Sequence, residues 1–169
     1  MTARFAMVAG EASGDLLAAT VLPALHARCG NARIAGIGGD RMQAAGFDAW
    51  WHVRELSVRG YAEVLRHLPR LLALRRALIA RVQAWPADVY VGVDAPDFNL
   101  GVEARLRAAG VRTVQFVAPA VWAWRPGRIA LVRRAVDHLL PIFPFEEKLF
   151  ADAGVRTTYV GHPLAATVT

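Results

Sequence analysis

Short apolar runs alternate with longer mixed stretches over most of the chain. Phe5 to Ala9 reads as a buried strand and Leu16 to Arg28 as a helix. Arg33 to Ile37 is a second strand, closed by Gly38 and Gly39. A short helix over Asp40 to Ala45 and a short strand over Asp48 to Trp51 follow. Residues 61 to 84 carry a helical period, with Pro69 marking a break between two segments. Val89 to Val93 is the clearest strand. A turn at Ala95 and Pro96 leads into a helix from about Asn99 to Ala109, which Gly110 ends in a left-handed conformation. Val111 to Val117 is a strand, Ile129 to Ala135 a helix, His138 to Ile142 a strand and Phe145 to Asp152 a helix. After Gly154, Arg156 to Val160 is a last strand.

Strand and helix in strict alternation predict parallel pairing with right-handed crossovers. The expected fold is therefore α/β: a doubly wound, mainly parallel, Rossmann-like sheet with helices on both faces. The 169 residues fit a single domain, 1–169. Gly161-His-Pro163 reads as the start of a linker.

Composition adds three constraints. A mean hydropathy of +0.29 asks for a sheet covered on both faces, or for apolar surface reserved for a partner or membrane. The net charge of +6, with Lys148 as the only lysine, suits nucleic acid, anionic headgroups or phosphorylated substrates. The lone Cys29 excludes an internal disulfide, and no run is long and apolar enough for a spanning helix. No signal peptide is evident, so a cytoplasmic location is expected. His26, His52, His67, His138 and His162 show no metal-ligand spacing, so no metal site is expected.

In open parallel sheets, ligands lie beyond the carboxyl ends of the strands. The first such loop is Gly10-Glu-Ala-Ser-Gly-Asp15. Its glycines permit close backbone approach, and Ser13 and Asp15 are placed to cap the next helix. In Gly36-Ile-Gly-Gly-Asp40, Arg41 stands where a dinucleotide fingerprint needs its last glycine. That segment reads as a turn with Asp40 as N-cap. Asp94 ends the best strand, where a carboxylate is either a structural turn residue or a general base for a sugar hydroxyl. Asp97 reads as the cap of the following helix. The loop with Trp122, Trp124 and Arg125 joins indole faces that stack on sugar rings or acyl chains to a planar anion-binding fork; at least one indole is a core candidate. Val64, Leu65, Leu68, Leu71 and Leu72 form a stripe with Arg66, Arg70 and Arg76 off it. This fits a membrane-surface helix or an ordinary core-facing one.

These segments, in order over nearly the whole chain, resemble the lipid-A-disaccharide synthase family of twin-Rossmann glycosyltransferases. The resemblance rests on Gly10 to Asp15, Gly36-Ile-Gly-Gly-Asp-Arg-Met42, Val91 to Asn99, Pro119-Ala-Val-Trp-Ala-Trp-Arg125, Pro144-Phe-Glu146 and Val160-Gly-His-Pro163. It implies transfer of diacylglucosamine from UDP-diacylglucosamine to diacylglucosamine 1-phosphate, giving the β-1,6 disaccharide and UDP, with no cofactor and no nucleic-acid partner. It implies Asp94 as general base, and Ser13, Gly14, Asp97, Asn99, Trp124 and Arg125 as substrate-binding residues. Val64, Leu65, Leu68, Leu71 and Leu72 would then be the apolar patch of an enzyme peripheral to the cytoplasmic membrane. It also implies a second, donor-binding domain that this chain does not contain, so the isolated chain is expected to be inactive. The rivals are another UDP-sugar transferase or epimerase of the same fold, and a non-catalytic module for anionic membrane.

Overall fold

The computed structural model describes residues 2–56, 61–120, 127–163 and 165, with the side chains of 61–66 outside that description. Six strands form one parallel sheet: β1 (Arg4–Ala9), β2 (Arg33–Gly38), β3 (Asp48–His52), β4 (Val89–Val93), β5 (Arg112–Phe116) and β6 (His138–Leu140). Their spatial order is β3-β2-β1-β4-β5-β6. The connecting helices are α1 (Ala12–Cys29), α2 (Asp40–Ala44), α3 (Tyr61–Ala84), α4 (Pro96–Ala108), α5 (Gly127–Ala135) and α6 (Pro144–Asp152). The predicted α/β, doubly wound architecture is therefore the observed one.

Alternation along β1 builds the two cores. Ala6 and Val8 pack with Leu74, Leu78 and Val82 of α3 and Val102 and Leu106 of α4. Met7 and Ala9 pack on the opposite face with Leu17, Ala18 and Leu22 of α1. On that second face the carboxyl half of the sheet carries no helix among the described residues. An apolar groove of about 690 Å³ runs there, lined by Val21, Leu25, Val91, Val114, Phe116 and Leu140 among others. Part of the hydrophobic surplus in the composition thus lines a groove on a sheet face.

Five local expectations are corrected. Helix α1 begins at Ala12, so Ser13, Gly14 and Asp15 lie in its first turn and not in a loop. Asp15 does not cap its own helix. Its carboxylate, 5% exposed, accepts from the backbone N–H groups of Gly39 (2.7 Å), Arg41 (3.1 Å) and Met42 (3.2 Å). These are the free N–H groups at the start of α2, so a residue 24 positions away from Gly39 does what Asp40 was expected to do. Asp40 instead points outward and pairs with His52 and Arg54. Helix α3 runs through Pro69 without a break. Proline removes one ladder N–H, but the apolar contacts of Leu74, Leu78 and Val82 hold the later turns. Finally, Arg156 to Val160 follows β6 through single bonds, Leu139 N–H to Arg156 O (2.9 Å) and Val160 N–H to Pro141 O (3.1 Å), with one bridge at Thr157 and no full strand.

Candidate active site

Parallel register aligns Ala9 of β1 with Val93 of β4, so the loops after these two strands emerge side by side. They touch: a Cβ built on Gly10 would lie 2.0 Å from the Ala95 Cβ. Only glycine fits there, and this is why the first loop can lie against the turn that follows β4.

That turn is unusual. Asp94 (φ 54°) and Ala95 (φ 43°) are consecutive left-handed residues, neither of them glycine, and Val117 after β5 is a third (φ 72°). Each such residue costs on the order of 1–3 kcal/mol and persists only where neighbours enforce it. The enforcement is visible. Asp94 N–H donates to Phe116 O (2.9 Å). Asp94 O accepts from Asn99 Nδ2 (2.8 Å) and Gln115 Nε2 (3.1 Å). The N–H groups of Phe98 (3.0 Å) and Asn99 (2.9 Å) both reach Ala95 O, which starts α4 with no side-chain cap.

The effect is to hold the half-buried Asp94 carboxylate toward a pocket of about 430 Å³. Its oxygens have no hydrogen-bond partner among the described residues. The pocket is bounded by Gly10 and Glu11, by Asp94 to Phe98, and by Leu56, Leu68, Leu71, Leu72 and Arg75. One wall is therefore polar and acidic. The other is the leucine stripe of α3, with Leu68 43% and Leu72 38% exposed.

Arg75 is the cation on the described lining. Its guanidinium lies 5.3 Å from the Phe98 ring and donates to Asp97 O (2.9 Å). Burial lowers its pKa, and the Tyr90 and Asp97 oxygens oppose that shift. It remains charged, because an arginine starts so far above neutral pH. Arg75 was missed from the sequence. The available signal was spacing: it stands four residues after Leu71 and three after Leu72, a cation on the apolar face itself.

The remaining expected site residues divide. Asp97 lines the pocket, but it occupies the first turn of α4, exposed and paired with Arg128; it does not cap the helix. Leu68, Leu71 and Leu72 share the pocket with Asp94. Ser13 is exposed on α1 and outside the pocket lining. Gly14 is buried, with its α-carbon against β4: an added Cβ would meet Val93 O at 3.3 Å. It brings the helix close to the sheet and lies outside the pocket lining. Asn99 is fully buried, and its amide serves the Asp94 turn and Tyr90 from within. Trp124 and Arg125 lie outside the described residues, as do the side chains of Val64 and Leu65.

Fold and site together define a class: a Rossmann-like α/β lobe, with its loops gathered at the carboxyl edge of the sheet. A glycotransferase of kitacinnamycin superposes with a TM-score of 0.59 at 16% identity, over 95% of this chain and 51% of that one. The UDP-GlcNAc 2-epimerase of Neisseria meningitidis, bound to UDP-GlcNAc, superposes with 0.69 at 9% identity, over 95% and 47%. Within that class, residues 5–169 match the lipid-A-disaccharide synthetase family model, and the chain belongs to that family. It is 55% identical over 163 residues to the lipid-A-disaccharide synthase of Burkholderia mallei (strain SAVP1), a match covering 96% of this chain and 42% of that protein. The chain thus spans less than half the length of the curated relatives it matches.

Proposed function

We propose that this chain is the acceptor-side lobe of a glycosyltransferase that joins two acylated glucosamines. The observation that carries the reading is the unpartnered Asp94 carboxylate at the sheet edge, facing leucines across one pocket, in a chain of this family. The acceptor would be an acylated glucosamine 1-phosphate and the donor UDP-diacylglucosamine. The acceptor 6-hydroxyl attacks the donor's anomeric carbon. The new C–O bond forms as the bond to UDP breaks, UDP leaves with the electron pair, and Asp94 takes the hydroxyl proton. Leu68, Leu71 and Leu72 offer acyl chains an apolar wall, and Arg75 offers the acidic pocket its counter-charge. Asp97 lies at the rim, and Trp124 and Arg125 are proposed as further acceptor contacts.

Donor contacts would come from a second lobe, so residues 1–169 alone would transfer nothing. The test is a fusion of this chain to the part of the Burkholderia mallei relative beyond the matched region. We expect the fusion to form disaccharide and release UDP, and each piece alone to do neither. A fusion that folds and binds UDP-diacylglucosamine but never glycosylates the lipid acceptor would overturn the reading.

We further propose that the exposed leucines rest on the cytoplasmic membrane face, from which a lipid acceptor must be drawn. No helix among the described residues is long and apolar enough to cross a membrane, so attachment would be peripheral. Leu68→Ser with Leu72→Ser should weaken binding to anionic lipid vesicles by at least about tenfold, since each leucine forfeits part of roughly 1.5–3 kcal/mol of burial. Vesicle sedimentation measures this, and unchanged binding would assign the leucines to the acceptor pocket alone.

A further inference from the structure

Beneath the Asp94 turn lies a group of buried polar side chains that the proton-transfer reading above does not use. Glu103 of α4 is fully buried, as are Gln115 of β5, and Tyr90 and Asn99 beside them. Both Glu103 carboxyl oxygens and Gln115 Oε1 lack a hydrogen-bond partner among the described residues. A buried acceptor left without a donor costs on the order of 1–3 kcal/mol, so three in one place need a cause.

Counting donors identifies it. Gln115 Nε2 donates to Asp94 O and to Val117 O, each at 3.1 Å. Both amide hydrogens are used, and the amide cannot be turned over without aiming its oxygen at two carbonyls. Asn99 Nδ2 is directed at Asp94 O and Val8 O, and Tyr90 O–H is given to Asn99 Oδ1 (2.8 Å). No neighbouring donor remains for Gln115 Oε1. The Glu103 carboxyl is near: a Cβ on Gly92 would lie 2.4 Å from Glu103 Oε1 and 2.6 Å from Gln115 Oε1, so both oxygens border the same small space beside β4. Two buried acceptors facing one dry space are costly, and a proton on the carboxyl turns one of them into a donor for the other.

We propose that Glu103 is held as a neutral carboxylic acid that donates to Gln115 Oε1, and that through Gln115 it is a positioning residue for Asp94. The bonded path runs from the Glu103 hydroxyl to the Gln115 amide, and from there to the carbonyls of Asp94 and Val117. Those carbonyls belong to two of the three left-handed non-glycine residues, at the ends of adjacent strands. A donor at Oε1 polarises the amide and strengthens both of its own donations. Burial pushes the Glu103 carboxyl well above the usual glutamate range, and the nearby Gly92 N–H, which does not reach hydrogen-bond geometry, acts weakly against it. The other titratable groups around the cluster are Tyr90, whose phenol burial also pushes up, and Arg75, which interacts electrostatically with Tyr90. Neither supplies a hydrogen to Gln115.

The proposal rests on Asp94 acting as base, but two of its tests do not. Glu103→Gln keeps a donor at the same place; Glu103→Leu removes it. In this chain, the amide resonances of Asp94 and Val117 should shift together in Glu103→Leu and stay near their original positions in Glu103→Gln. Stability supplies the second test. A carboxyl raised on folding stabilises the fold below its unfolded pKa and loses that contribution as pH rises toward its folded value. The folding constant of the unsubstituted chain, relative to Glu103→Gln, should therefore fall by up to about tenfold per pH unit as pH rises above the ordinary glutamate range. A ratio flat with pH would show Glu103 charged in the fold and overturn the proposal. In the fusion protein, Glu103→Leu should lower kcat by about tenfold to a hundredfold with KM little changed, as expected for a displaced catalytic group, and Glu103→Gln should retain most of it. Equal losses in both variants would also overturn it. If Glu103→Leu does not fold, the pH dependence and Glu103→Gln decide. A fusion without any activity would refute the transferase reading and leave the resonance and stability tests standing.

Discussion

Asp94→Asn in the fusion protein is expected to lower kcat by about 10²–10⁴-fold, the usual span for removal of a general base. KM for the lipid acceptor should change little. The substitution is well suited to isolating the chemistry. Asparagine has the same shape, and it tolerates the left-handed backbone that Asp94 adopts (φ 54°) at least as well as aspartate does. The bonds that hold the turn use the Asp94 backbone and not its carboxylate, so none is lost. Folding stability should stay within about 0.5 kcal/mol, as for a surface change that disturbs no contact. Single-turnover measurement of UDP release separates the proton-transfer step from binding. Turnover near that of the unsubstituted protein would move the base elsewhere. Glu11 is the other carboxylate that borders the pocket without being paired to an arginine, and it would be the next residue to test.

How much of this was readable in advance depended on whether the deciding force was local. The parallel, doubly wound sheet follows from alternating apolar runs and the right-handed crossover rule, and Asp94 was placed because it ends the most regular run. Local rules failed where long-range contacts took over. Asp15 sits where a helix cap belongs, yet its carboxylate crosses to the start of α2. Pro69 reads as a break, but packing further along α3 is strong enough to carry the helix through it. Asn99 stands in a motif full of polar residues and looks like a ligand contact. Its value lies in being buried, because only from inside can it hold the Asp94 carbonyl. Glu103 shows the same limit. In sequence it is an ordinary charge on an amphipathic helix, and only the strand glycine at Gly92 makes room for it against the sheet.

The largest loss of stability is expected from Gly36→Ala, for a reason the sequence also concealed. Gly36 belongs to a glycine-rich segment that resembles a failed nucleotide-binding loop. In the structure it lies inside β2, at the irregularity between Gly36 and Ile37 where the pairing with β3 shifts register. Its φ is +146°, and an added Cβ would stand 2.2 Å from Met7 O and 3.1 Å from Met7 C. Those are backbone atoms of the neighbouring strand, so no side chain can swing away to relieve the clash. Backbone strain of about 1–3 kcal/mol adds to overpacking of about 1–3 kcal/mol, for a total near 4 kcal/mol. In a domain of this size that lowers the melting temperature by on the order of 8–16 °C. Gly30→Ala is the matched comparison. Gly30 also has positive φ (58°), but an added Cβ would meet nothing within 4 Å. Its cost should be the left-handed penalty alone, about 1–2 kcal/mol. Thermal and urea unfolding of the two variants side by side measures the difference. If they lose equal stability, the close approach of β1 to β2 at Gly36 is not what demands glycine there. The β1–β2 pairing would then tolerate more separation than the register implies.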